Sequence, residues 1–358
     1  MKRLLILVYS GMSSFAHAQS DSSSSPISFS GYIDTYYTYD FGNPANHKRS
    51  GFIYSFDRHN EVNLNLGFIK AAWQKNNVRA NLALATGTYM NANLAAEPGV
   101  LKNIFEANAG VKLSKKANLW LDAGIFASHI GFESAVSKDC WGLTRSILAD
   151  NTPYYESGAK VSYTSGNNKW MLSGLILNGW QHIQRPDGNN TPAVGTQITF
   201  TPNAKITVNY STFIGNDKPD TARLMRYFNN FYGIFHLTDK LYVTAGFDYG
   251  IEQKSKRSSS FNNWYSPVLI AKVILGNKCS VTGRAEYYVD KNEVIISTGT
   301  ANGFQTYGSS LNFDYRITDN AMWRIELRTL ASKDKIFNKN GDAANTNAFV
   351  TTSLAVSF

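Results

Sequence analysis

Long runs of strict alternation constrain this chain most. In "NLWLDAGIFAS", Leu119, Leu121, Ala123, Ile125 and Ala127 share one side, with Trp120, Asp122, Gly124, Phe126 and Ser128 between them. "KLYVTAGFDYGI" repeats the pattern with Leu241, Val243, Ala245, Phe247, Tyr249 and Ile251. A period of two belongs to a strand, and helical spacing of three and four accounts for none of these runs. They extend over about 9 to 13 residues. Strands of soluble proteins average about 5 to 6, whereas a tilted strand crossing a bilayer needs about 9 to 11.

The connections alternate as well. Short ones fall near 75–77, 114–118, 165–168, 201–204, 238–240, 276–278 and 318–320. Long ones fall near 41–60, 90–103, 131–152, 182–193, 215–226, 252–263, 291–303 and 332–346. Seven short turns and eight long loops predict sixteen strands with both ends on the short-turn side. Short periplasmic turns with long outer loops describe an outer-membrane barrel. The fold class expected is therefore all-β, a closed antiparallel transmembrane β-barrel over residues 27–358. Strand 7, "WMLSGLILNGW", is apolar on both faces and cannot be phased.

Closure satisfies every backbone amide in hydrocarbon, and it turns one face to lipid and the other to water. The polar phase predicts inward charges at Asp34, Arg79, Glu106, Lys112, Asp122, Glu156, Lys160, Lys205 and Asp248. It continues with Arg284, Glu286, Asp314, Arg316, Arg324, Glu326 and Arg328. A secreted β-sandwich also alternates, but it does not account for sixteen long strands with alternating loop lengths. Outward-phase Tyr37, Tyr39, Tyr155, Tyr249 and Tyr265 near long loops fit one interfacial aromatic girdle. Tyr163, Phe200, Tyr315, Trp323 and Phe358 near short turns fit the other.

The start reads as an export signal. Lys2 and Arg3 precede an apolar stretch, and Ala16-His17-Ala18 offers a small-x-small cleavage site. Cleavage between Ala18 and Gln19 would leave a short polar leader, 19–26, before the barrel. The formal charge of +9 is scattered rather than clustered, so nucleic acid is a poor partner. Cys140 in a long outer loop and Cys279 beside a short turn should lie far apart, beyond disulfide reach.

Several stretches carry a family likeness. "SGYIDTYYTYDF" (30–41), "DAGIFASHIGFES" (122–134), "RSILADNTPYYESG" (145–158), "GRAEYYVD" (283–290) and "GTANGFQTYG" (299–308) resemble the OmpL-like putative β-barrel porins of Gram-negative bacteria. The resemblance runs from about residue 27 to the end. It implies an outer-membrane location and a pore, without settling the solute.

Function is then expected from lumen and loops. Passive diffusion of small polar solutes is the first expectation, with a loop-displaying adhesin or receptor second and a barrel hydrolase third. For the hydrolase, His129 beside Ser128 or Ser134 is conceivable, although a polar rim looks the same. No cofactor or metal motif stands out. If Ile317 pairs with Ala321, Asp314 faces Arg324, and such pairs either brace the wall or set selectivity. The third loop, with Glu133, Lys138, Asp139, Arg145 and Asp150, either constricts the lumen or stays outside. The positive excess favours anions. Outer-membrane lipids and the barrel assembly machinery are expected partners, the latter through an assembly signal at Phe358. Self-association is left open.

Overall fold

The computed structural model describes residues 25–358, so the cleavage site at Ala18 and Gln19 lies outside the described residues. Sixteen strands close into one antiparallel barrel. In chain order they begin with β1 (Ile27–Asp40), β2 (Val62–Lys75), β3 (Val78–Thr86), β4 (Ile104–Lys112), β5 (Asn118–Ala127) and β6 (Tyr155–Thr164). Then come β7 (Trp170–Leu177), β8 (Ala193–Asn203), β9 (Ile206–Gly215), β10 (Arg226–His236), β11 (Leu241–Gln253) and β12 (Phe261–Ile274). The circuit ends with β13 (Cys279–Asp290), β14 (Phe304–Thr318), β15 (Ala321–Ser332) and β18 (Thr346–Ser357), while β16 (Phe337–Lys339) and β17 (Asp342–Ala344) form a separate hairpin. Two short helices, α1 (Thr88–Asn93) and α2 (Ile147–Asp150), lie in loops.

The seven tight turns and eight long loops fall where the alternation ends. Asn76 and Asn168 take positive φ at two of the turns, a conformation asparagine tolerates. The outward face is apolar, with Phe29, Ile69, Leu84, Ile176, Leu269 and Leu311 exposed. Strand β7 is phased by its neighbours: Leu172 and Ile176 face out, while Leu175 and Leu177 are buried inside. Strand β12 carries Pro267, which has no amide for a ladder. The β12–β13 register is interrupted there, and the Ser266 hydroxyl donates to the Tyr287 carbonyl instead, at 2.9 Å.

The seam joins β1 to β18, with Tyr36 opposite Ser353. Beyond β18, the Phe358 amide donates to the Gly31 carbonyl at 3.0 Å, and the Gly31 amide returns a bond of 2.7 Å. The Phe358 ring lies against the Gly31 Cα, where any Cβ would overlap it. Gly31 therefore supplies the space that lets an aromatic sit at the seam.

Three expectations need correcting. Lys205 lies exposed in the tight turn between β8 and β9 rather than on the inner wall. Tyr155 is covered by the second loop, its hydroxyl donating to Glu97 at 3.2 Å, and takes no place in a membrane girdle. The turn after β14 pairs Thr318 with Ala321 through a register shift, yet Asp314 still faces Arg324.

The seam generates a prediction. Replacing Gly31 with leucine, or Phe358 with alanine, should lower the heat-modifiable folded fraction in outer membranes. Molecules that do insert should keep their conductance. Equal folded fractions for the variants and the wild type would contradict a role for this contact in assembly.

Candidate functional site

The third loop, 128–154, enters the barrel and is bound along its length by the inner wall. On the lumen faces of β13, β14 and β15 stand Arg284, Glu286, Asp314, Arg324, Glu326 and Arg328, all with buried side chains. They pair as Arg324–Asp314 at 2.7 Å, Arg284–Glu326 at 2.8 Å and Arg328–Glu286 at 2.6 Å. Two of these pairs reach from β13 to β15 across β14. Gly308, opposite Glu286, makes that possible, because a Cβ there would overlap the Glu286 carboxylate.

These charges do not face open water; they take the place of a neighbouring strand for the loop. Arg324 donates to the carbonyls of Ser137, Cys140 and Trp141. Arg284 donates to the Thr144 carbonyl at 2.7 Å and Arg328 to the Arg145 carbonyl at 2.7 Å. The acids accept in turn: Glu326 from the Thr144 amide at 2.6 Å and Glu286 from the Ile147 amide at 2.6 Å. Asn312 accepts from the Leu143 amide at 3.2 Å. Arg324 stands three residues from the Ala321 end of β15, so the loop's tip reaches the lower part of the lumen. Cys140 travels with that tip. It is separated from outward-phased Cys279 by the barrel wall, not by the barrel's height as expected.

The loop is stapled internally as well. Arg145, fully buried, donates to the carbonyls of Leu143, Ser134 and Ala135. Glu133 accepts from the Ser146 amide at 3.0 Å and from its hydroxyl. Asp150 accepts from Ser55 of the first loop at 3.3 Å. Of the five charged loop residues singled out, only Lys138 and Asp139 keep much exposure, and they pair with each other at 3.0 Å. Asp34 is fully buried beneath the loop on β1, and Arg316 is exposed at the turn end of β14.

At the loop's root, His129 is clamped. Its Nδ1 lies 2.8 Å from Glu156 Oε2 and its Nε2 lies 2.8 Å from the Thr212 carbonyl. Both partners accept, so both nitrogens donate and the ring is an imidazolium. Burial pulls its pKa down, but the Glu156 carboxylate and the two hydrogen bonds outweigh that, and the net shift is upward. This geometry leaves neither nitrogen free to take a proton from Ser128 or Ser134, whose hydroxyls accept from the Ile130 and Val136 amides. Among the described residues, no three His, Cys, Asp or Glu side chains gather as metal ligands.

The opposite side of the lumen carries charges that do not touch the loop's backbone. Lys70 on β2 pairs with Glu106 on β4 across Ala83. Arg79 on β3 pairs with Asp122 on β5 across Gly110, where a Cβ would overlap the Asp122 carboxylate. Lys160 on β6 stands beside Asp122 in register, its ammonium 4.5 Å from the Phe126 ring centre. Lys112 sits at the turn end of β4.

Above the third loop, the first, seventh and eighth loops close in. Phe52, Ile53, Ile296 and Phe337 pack with Ile147 and with wall residues Phe213, Phe228, Trp264 and Phe304. This apolar layer had no clear signal in the alternation. Its loop members sit in irregular segments, and its wall members interrupt otherwise polar inner faces.

A family model described as "Putative beta-barrel porin-2, OmpL-like" matches residues 26–358. No curated protein sequence matches the chain. Among solved structures, the anion-selective porin from Comamonas acidovorans superposes with a TM-score of 0.61 at 9% identity, covering 93% of this chain and 99% of that one. Outer-membrane expressed OmpT of Vibrio cholerae gives 0.61 at 9%, covering 94% and 99%. The outer membrane channel DcaP of Acinetobacter baumannii gives 0.60 at 10%, covering 93% and 97%. At these identities the likeness concerns the fold.

Two outcomes are expected of the bound loop. Arg284→Met leaves Glu326 buried without its guanidinium partner, a change that costs roughly 3–5 kcal/mol. Hydrogen exchange at the Thr144 and Ile147 amides should accelerate while strand amides stay protected. The second concerns pH. A raised His129 pKa means its anchoring is fully present below the ordinary value of about 6.5 and is lost as pH rises through the folded value. Exchange at the Ile130 and Gly131 amides should therefore rise on the alkaline side, beyond its intrinsic pH dependence. His129→Gln should abolish that excess.

Proposed function

The chain belongs to the OmpL-like β-barrel porin-2 family of outer-membrane barrels, and from that premise we propose that it is a passive channel for small polar solutes. The observation that carries this reading is the one-sidedness of the third loop. Apart from the His129–Glu156 contact at its root, it draws its charged hydrogen bonds from β13 to β15, six to eight strands around from the lumen faces of β6 and β7. On that far side, Gln197 and Thr199 bond to Asn209 at 3.0 and 2.7 Å rather than to the loop. Ser162 and Ser173 face the lumen beside them. A polar wall facing a bound loop supports a hydrated path of restricted width.

A specific observation favours a second reading. The apolar layer of Phe52, Ile53, Ile296 and Phe337 narrows the outer mouth, as it would in a barrel that displays loops to a partner and conducts nothing. Catalysis has no such support in the geometry of His129. The leader belongs to the same reading, with export followed by cleavage after Ala18. So does self-association, since one solved relative is described in a trimer form. The outward faces of β3 to β5 bear no aromatic residue and leave a smooth wall of Ala80, Ala107, Ala109 and Ala123.

Planar-bilayer recording of the purified barrel tests the main reading. Discrete channels with small unit conductance are expected, together with a mature N-terminus at Gln19. Absence of conductance across preparations that retain heat-modifiable mobility would favour the receptor reading.

A further inference from the structure

The acids that face Lys160 are each held by another cation. Asp122, its register neighbour, leans away over Gly110 to Arg79. Glu106 is held by Lys70. Glu156, on the same strand and face, is held by His129. Together with Lys160, these are four cations against three acids. The surplus charge falls on Lys160, which has no carboxylate within ion-pair distance among the described residues and rests against Phe126. Across the sheet, on the side away from Asp122, its register neighbour is the apolar Leu175.

One row below Lys160, on the same inner face, are the hydroxyls of Ser162 and Ser173, directly paired across β6 and β7. The Ser173 hydroxyl is buried without a hydrogen-bond partner. An ammonium with two hydroxyls beneath it, in a narrow lumen of lowered dielectric, offers donors and a charge that no protein group completes.

We propose that Lys160, with the Ser162 and Ser173 hydroxyls, forms an anion site that gives the lumen a preference for small anions such as halides and carboxylates. The proposal rests on the channel reading for its consequence in transport, but not for the site itself. A completing anion would exchange quickly, because one ammonium and two hydroxyls hold it without a second cation. Such transient occupancy favours passage over trapping.

Two measurements test this. Under a potassium chloride gradient, the wild-type reversal potential should report chloride permeating better than potassium. Lys160→Gln should lower the permeability ratio at least two-fold, and Lys160→Glu should turn the channel towards cations. Lys112→Gln, at the turn end of β4, should change the ratio less than either. A wild type that prefers potassium, or a ratio unchanged in both Lys160 variants, overturns the proposal. The second measurement is the chloride-35 line width on the folded barrel in detergent. It should be broadened by the wild type and less by Lys160→Gln and Ser173→Ala. Equal broadening by all three overturns the site even if no channel is ever recorded. Lack of conductance with unequal broadening would defeat the channel reading while leaving the site in place.

Discussion

Every backbone amide placed in hydrocarbon has to find its partner within the protein. For sixteen strands that requirement is met only by closure, so the seam between β1 and β18 is the contact on which the barrel depends. Without it, two strand edges of about a dozen groups would stand open to lipid. Even local exceptions are repaired. Pro267 cannot donate, and a serine hydroxyl one residue earlier supplies the missing bond. Phe358 extends the pairing past the last strand and covers Gly31 with its ring.

Closure creates a second problem inside. A ring of sixteen strands encloses more space than wall side chains can fill. Here the third loop enters that space, and its irregular backbone brings unsatisfied carbonyls and amides with it. The ladder on β13 to β15 answers both kinds. Guanidinium groups donate to the loop's carbonyls, and carboxylates accept from its amides. Three arginines and three acids balance in charge, so the wall carries no net cost of unpaired ions. Buried pairs of this sort rarely add much stability over apolar packing, but they fix one arrangement and penalise others. The ladder is therefore better understood as specifying where the loop lies than as lining a pore.

Strand number, turn positions, the facing of most side chains and the Asp314–Arg324 pair were legible in the sequence, because period two and loop length are local signals. The destination of the third loop was not. Glu133, Arg145 and Asp150 read equally well as rim charges or constriction charges, since hydrogen bonds within and between loops leave no periodic trace. Strand β7 escaped phasing because Leu175 and Leu177 meet an apolar layer inside, while Leu172 and Ile176 meet lipid outside. His129 suggested chemistry by its neighbours in sequence, whereas its partners in space are Glu156 and the Thr212 carbonyl.

A small residue on a middle strand recurs at three of the four ion pairs that span two strands. Ala83 lies between Lys70 and Glu106, Gly110 between Arg79 and Asp122, and Gly308 beside Glu286. The device is the same on both walls, but the bookkeeping differs. On β13 to β15 each cation has its acid, and the loop's backbone takes further donors and acceptors of the same groups. On β2 to β6 the histidine at the loop's root takes the third acid. By taking Glu156, the loop's root histidine leaves a positive surplus on that wall. Occlusion and charge in the lumen follow from one arrangement of residues rather than two.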